Sequence, residues 1–263
     1  MKVAIITGAG SGIGLGCAEA LAAQGCAVLG VGRDADKLAR VHDVVADPDR
    51  SAVLAQDVTA ADAPARIVEA ALARWGRIDF LINNAGVGSP KPLLETDDDQ
   101  LDAILSLMLK APFRLAREVI PHMAAGSAVI SVSSTYAIVG GLRGGAYSAA
   151  KAGLWGLTSH IAVQYGPRGV RANVVAPGVI RTPMTEARFE DERFVRMNRD
   201  MTPHTRLGEV GDVAGTVAFL CSEQGSFING QTIAVDGGWS TTKYLSDRAL
   251  SARWVHDEDE TAE

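Results

Sequence analysis

An α/β fold on a single parallel sheet is predicted by three features of this 263-residue chain. Seven short apolar runs alternate with longer amphipathic or Ala-rich segments. Most of those runs are continuously apolar, the pattern of strands covered on both faces. The first run ends in a glycine-rich turn that opens directly into a helical segment. Alternation of this kind builds right-handed βαβ units into one sheet.

Strands are expected at residues 3–8 (VAIITG), 27–32 (AVLGVG), 51–57 (SAVLAQD), 79–86 (DFLINNAG), 127–134 (SAVISVSS), 170–178 (VRANVVAPG) and 231–238 (QTIAVDGG). Helices are expected between them at 14–24, 34–45, 61–75, 98–124, 146–165 and 210–221. Pro112 lies inside the fourth and should kink it, because proline has no N–H for the carbonyl of Met108 four residues back. Residues 182–207 break the regularity; they are polar, charged and dotted with Met and Phe. The terminal HDEDETAE is an acidic end expected to fray. With no internal repeat and no linker, one domain is expected.

Composition narrows the function classes. A net charge of −6 without a dense basic run argues against nucleic acid, whose phosphates demand clustered Lys and Arg. Cys17, Cys26 and Cys221 form no CxxC pair and are expected to be reduced core thiols. The five histidines are dispersed, so no metal site is expected. No apolar run approaches the roughly 18 residues of a membrane span. The sequence opens directly on its first strand, with no stretch for a signal peptide, and a cytoplasmic location is expected.

The turn after the first strand reads TGAGSGIG (residues 7–14). Gly8 permits the tight turn, Gly12 lets backbone approach a pyrophosphate, and Gly14 allows close helix–strand contact. The helix behind it offers unpaired N–H groups to an anion. NNAG ends the fourth strand at Asn83 to Gly86, and Ser134 precedes the YxxxK of Tyr147 and Lys151 by thirteen residues. Pro177 and Gly178 end the sixth strand, with Thr182 four residues beyond, and a GxxxxVDGG strand closes the series from Gly230 to Gly238. This ordered set, opening on TGxxxGIG, resembles the short-chain dehydrogenase/reductase family. The resemblance spans Lys2 to Gly238.

It implies a Rossmann-type, doubly wound, seven-stranded parallel sheet with helices on both faces. It implies Tyr147 as acid/base, Lys151 also binding the nicotinamide ribose, and Ser134 hydrogen-bonding the substrate oxygen. Cofactor contacts are implied at Gly8, Ser11, Gly12, Ile13 and Gly14, and at Asn84, Ala85 and Gly86. Further contacts are implied at Pro177, Gly178, Ile180 and Thr182, with Asp57 and Val58 against the adenine. Tyr147 and Lys151 stand at i and i+4, so both project from one helical face. A lysine cation one turn from the phenol should favour the phenolate, as would a positive nicotinamide ring.

Cofactor choice is read at the end of the second strand, where an acid would bind a ribose 2′-OH and repel a 2′-phosphate. Gly32 stands there, followed by Arg33, a guanidinium suited to phosphate. NADP is therefore favoured over NAD. Asp34 comes directly after, however, and Ser11 stands where many NADP-preferring members carry a second basic residue. Many members also carry an asparagine in the helix after NNAG, thought to hold a kinked turn whose carbonyl binds a relay water. Met108 replaces it here and cannot make those polar contacts. Two readings stand: the carbonyl that Pro112 frees keeps the water, or Met108 is apolar packing and protons leave otherwise.

On the substrate side, 182–207 falls where the family places a mobile lid. Met184, Phe189, Phe194, Met197 and Met201 offer an adaptable apolar face or simply pack the core. Arg188, Arg193, Arg196 and Arg199 alternate with acids and read as a solvated face. Arg143 is expected at a surface or subunit contact, while Tyr136 and Leu142 are pocket candidates by position. The approach to the fifth strand, PHMAAGSA, has no Lys or Arg, which disfavours an acidic carrier protein as substrate. Trp239, Tyr244, Leu245, Leu250 and Trp254 suggest a tail that docks, on a neighbouring subunit.

The sequence thus predicts residues 1–240 as one NAD(P)-binding domain and 241–263 as a C-terminal extension. Its expected activity is hydride transfer between NADP(H) and a secondary alcohol or ketone, in a homotetramer. The alternatives are an NAD-dependent polyol or sugar dehydrogenase, or a catalytically weak NADP(H)-binding sensor.

Overall fold

Seven parallel strands, β1 (Val3–Thr7), β2 (Ala27–Gly32), β3 (Ser51–Ala55), β4 (Phe80–Asn83), β5 (Ala128–Val132), β6 (Arg171–Pro177) and β7 (Thr232–Val235), form one sheet in the order β3-β2-β1-β4-β5-β6-β7. The structure is a computed structural model and describes residues 1–88, 91–141 and 143–240. The helices divide between the faces. Helices α1 (Gly12–Ala23), α2 (Ala35–Val45) and α9 (Val210–Cys221) share a core with Ala4, Ile6, Phe80, Ile82 and Ile130. On the other face α3 (Ala63–Trp75), α5 (Ala111–Val119) and α6 (Gly145–Tyr165) pack on Ile5, Leu29, Leu81 and Val129. Neighbouring strand residues thus feed opposite cores, which is why the strands read as unbroken apolar runs.

All the strands except β2 stop one to three residues short of their predicted carboxyl ends, because those residues leave the ladder for the loops above the sheet. The predicted helix 98–124 is also divided. It consists of α4 (Asp98–Leu105), a π-helical turn (Ser106–Lys110), α5 and a 3₁₀ turn (Ile120–His122). Within 182–207 lie two short helices, α7 (Glu186–Phe189) and α8 (Glu192–Asp200). Cys17, Cys26 and Cys221 are buried and free, and burial pushes the Cys17 thiol up to about 12. Among the described residues no helix is long and apolar enough to cross a membrane. Leu142 and the tail residues Tyr244, Leu245, Leu250 and Trp254 lie outside the described residues.

Three strands are tied at their amino ends by one buried carboxylate. Asp79 accepts hydrogen bonds from the Val3 N–H (2.8 Å) and from Arg77 Nε and Nη2 (2.8 and 2.6 Å). Its own backbone bonds Val3 and Ala128 on either side. Asp79→Ala strands a buried N–H and should lower unfolding free energy by about 1–3 kcal/mol. Urea titration checks this, and an unchanged midpoint would refute the tie.

Candidate active site

From β1 the chain winds outward to β2 and β3, then returns to place β4 on the other side of β1. At that switch point the loops above the strands part, and the crevice so formed is where open α/β sheets bind ligands. A cavity of about 370 Å³ lies there. Its walls include Gly8, Ser11, Gly12, Ile13, Asn84, Ala85 and Gly86, together with Ser134, Tyr147, Lys151, Pro177, Gly178, Ile180 and Thr182. Gly14, Arg33, Asp57 and Val58 are not part of its wall.

The turn into α1 is held by close approach. Gly8 (φ +67°) and Gly12 (φ +52°) are left-handed, a conformation that favours glycine. A Cβ on Gly14 would run into the Gly8 carbonyl and stand 2.6 Å from Asn84 Nδ2. The Asn84 amide donates to the carbonyls of Thr7 (2.9 Å) and Gly8 (3.2 Å), so it braces the turn from β4. In return the Thr7 hydroxyl accepts the N–H groups of Asn84 (3.0 Å) and Ala85 (3.1 Å). Thr7 opens the TGxxxGIG motif, but its role as a clasp depends on a strand 75 residues away. Ser11 makes no side-chain cap bond to α1, and no acid occupies the first turn. An uncapped helix start behind a glycine cradle fits the pyrophosphate of a dinucleotide.

On the opposite side of β4, strand β5 leads to Ser134 and α6 carries Tyr147 and Lys151. Lys151 is 5 % exposed and donates from Nζ to the Val132 carbonyl at 2.7 Å. Ser133 Oγ donates to the Lys151 carbonyl at 2.9 Å, fixing α6 to the end of β5. Burial lowers the Lys151 ammonium to about 8. Tyr147 is raised above its ordinary value, chiefly by burial; a hydrogen bond with Ser134 opposes the rise and Tyr136 adds to it. The lowering expected from Lys151 is therefore not present. Nζ stands 5.8 Å from the Tyr147 ring centroid, with its short bond directed to Val132 instead.

Met108 is 1 % exposed within the π-helical turn and packs with Ile104, Ala146, Ala150 and Tyr147. A Cβ on Gly86 would lie 3.8 Å from both Met108 Cε and Lys151 Nζ, so both side chains reach towards the NNAG turn. The Ala111 N–H bonds Ser106, five residues back. In this wide register Pro112 is the residue that would serve the Leu107 carbonyl; in the α register it would serve Met108. It has no N–H for either.

At the outer rim, Arg33 is exposed beyond β2 and its charge helps to lower Asp57, which is lowered first by the Thr59 N–H. Asp34 is engaged on its own helix: it caps α2 through the Lys37 N–H (3.1 Å) and pairs with Lys37 Nζ (3.0 Å). The segment 182–207 is flanked by a bridge from Ile180 to Gly208, where Gly208 N–H bonds Val179 and Arg181 N–H bonds Gly208. Met184, Phe194 and Met197 reach the cavity, whereas Phe189 and Met201 do not. Arg188 also lines it and is exposed, so it faces solvent as expected and the cavity as well. Tyr136 and Trp239 line the cavity and pack with ring centroids 6.3 Å apart, while Arg143 is exposed away from it.

The fold is Rossmann-type, and its cleft has the glycine turn and open helix start that suit a dinucleotide. A family model described as enoyl-(acyl carrier protein) reductase matches residues 8–240. The chain is 39 % identical over 245 residues to cis-4-hydroxycyclohexanecarboxylate dehydrogenase of Sinomonas cyclohexanicum, covering 91 % of this chain and 96 % of that protein. It is 35 % identical over 240 residues to the 3-oxoacyl-[acyl-carrier-protein] reductase FabG of Thermotoga maritima, covering 90 % and 97 %. A solved short-chain dehydrogenase/reductase of Brucella melitensis, titled a glucose/ribitol dehydrogenase, superposes with a TM-score of 0.87 at 31 % identity, covering 92 % and 97 %. This chain belongs to the short-chain dehydrogenase/reductase family, oxidoreductases acting on CH–OH donors.

The buried lysine has a pH signature. Folded, Lys151 releases its proton near pH 8; unfolded, near 10.5. Between these values the unfolded chain binds more protons, so this contribution to stability rises with pH. The Lys151→Met variant keeps Tyr147 and cancels its titration in the comparison. Wild type should gain stability relative to it from about pH 8 to pH 10 in thermal or urea unfolding. A pH-independent difference would mean that Lys151 titrates as a solvated lysine.

Proposed function

We propose that this protein is an NADP(H)-dependent oxidoreductase that interconverts a secondary alcohol and a ketone, with Tyr147 as acid/base. The observation that supports it is the presence of Ser134, Tyr147 and Lys151 on the wall of the same cavity as the glycine turn. When bound, the nicotinamide supplies the hydride for reduction or accepts it in oxidation. Ser134 and Tyr147 hold the reacting oxygen between them. In reduction Tyr147 gives its phenolic proton to that oxygen; in oxidation it takes the proton back. A phenol kept neutral by burial suits the donor role, and Lys151 Nζ stands 5.8 Å from its ring centroid. Proton exit runs through the widened turn at Ser106–Lys110, on backbone carbonyl rather than on the Met108 side chain.

Arg33 supports the NADP preference, because Asp34 is tied to Lys37 and leaves the guanidinium to meet a 2′-phosphate. Assembly as a homotetramer is supported by Phe113, Trp155 and Val163, which leave large apolar surfaces on α5 and α6 open. Residues 1–240 serve as the catalytic domain, and 241–263 as an extension.

Tyr147→Phe should lower kcat by about 10²–10⁴-fold while NADPH binding persists. Full turnover in that variant would remove the assignment. Arg33→Ala should weaken NADPH binding by about 10–100-fold and leave NADH binding little changed, as read by nucleotide fluorescence. Equal losses for both would return the choice to NAD. Met108→Asn should change kcat by less than about tenfold, or 1.4 kcal/mol; a larger gain would show that the methionine obstructs the relay.

A further inference from the structure

Charge is distributed unevenly around the cavity. Among the described residues its wall carries no Asp or Glu, and its only charged side chains are Lys151 and Arg188. Lys151 is buried and committed to the Val132 carbonyl. Arg188, on α7 of the lid, is exposed. Its neighbours differ from it in a telling way. Arg181 pairs with Glu186 at 3.1 Å and lies over the Phe189 ring, Arg196 pairs with Glu192 at 4.0 Å, and Arg206 forms a two-pronged pair with Asp212. Arg193 and Arg199 form no salt bridge among the described residues, but they are off the cavity wall. Among the described residues, no salt bridge neutralises Arg188.

The same stretch of wall carries apolar Met184, Phe194 and Met197 together with the uncharged Thr182, Thr185 and Asn198. An exposed guanidinium loses water only when a ligand covers it, and that cost is recovered when a planar anion takes its paired N–H groups. A carboxylate satisfies this requirement; the hydroxyls of a neutral polyol leave the charge uncompensated. The cofactor's pyrophosphate has its own donors at the uncapped start of α1. We infer that Arg188 is a specificity-determining residue that holds a carboxylate of the substrate, so that the substrates are small oxo and hydroxy acids with an apolar body. This rests on the oxidoreductase reading for the other end of the molecule, where Ser134 and Tyr147 take the carbonyl oxygen.

The test uses the full chain, NADPH, and two pairs of probes: 4-oxopentanoate with 4-oxopentanamide, and 5-oxohexanoate with 5-oxohexanamide. Wild type should favour at least one acid over its amide by about tenfold or more in kcat/KM, the worth of one charge-assisted pair. Arg188→Gln should erase that preference by raising the KM for the acid, with kcat and NADPH affinity retained, and Arg188→Lys should recover part of it. Equal use of acid and amide by wild type overturns the inference, as does an equal loss on both in Arg188→Gln. Weakened NADPH binding in that variant would assign the arginine to the cofactor instead. Should wild type reduce no ketone at all, the oxidoreductase reading fails separately, and calorimetric titration of the NADP-loaded protein decides. Acid binding about tenfold tighter to wild type than to Arg188→Gln keeps the carboxylate site; equal or absent binding removes it.

Discussion

Everything in the cleft depends on the clasp between the first turn and the fourth strand. Strands β1 and β4 are neighbours only because the chain reverses direction between them, and the reversal leaves a gap above the sheet. The Thr7 hydroxyl and the Asn84 amide close the base of that gap with reciprocal hydrogen bonds. Gly14 lets α1 press onto the Gly8 carbonyl, at a separation no Cβ would permit. The helix start is thereby pointed into the cavity with its N–H groups free of any side-chain cap. A capping acid would stabilise α1 by itself but would occupy the place of an anion.

A second constraint is the burial of Lys151. A lysine with little access to water keeps its charge only where the backbone accepts it, and the Val132 carbonyl does so. The consequence is an ammonium far closer to neutral pH than a surface lysine. The cost is borne by Tyr147, which burial keeps protonated.

The fold could be read from the chain because its signals are local. Continuous apolar runs mark two-sided strands, and glycine spacing marks the first turn. Position along the chain also brought Ser134, Tyr147 and Lys151 forward. What could not be read depends on contacts distant in sequence. The π-helical turn answers to Pro112 and to packing of Ile104 and Met108 on Ala146 and Ala150. The Thr7 clasp needs β4, and the direction of Lys151 Nζ needs the end of β5. Arg188 and Arg193 look alike as sequence, each with acids nearby. Only the path of the short lid helices places one on the cavity and the other off it.

The charge of the whole molecule and that of its cleft have opposite signs. The chain carries a net charge of −6, yet the described cavity wall has two cations and no acid. Nearby carboxylates are kept out of the cleft by local work: Asp34 caps α2, Glu186 pairs with Arg181, and Asp191 caps α8. In a low-dielectric cavity, a small imbalance of fixed charge sets a potential that solvent screens poorly. An anionic dinucleotide and an anionic substrate would otherwise repel each other in so narrow a space. Of the two cations, Lys151 is committed to the Val132 carbonyl, which leaves Arg188 as the one open to a substrate anion. Among the described residues the cavity wall thus carries one guanidinium without a salt bridge, alongside Met184, Phe194 and Met197.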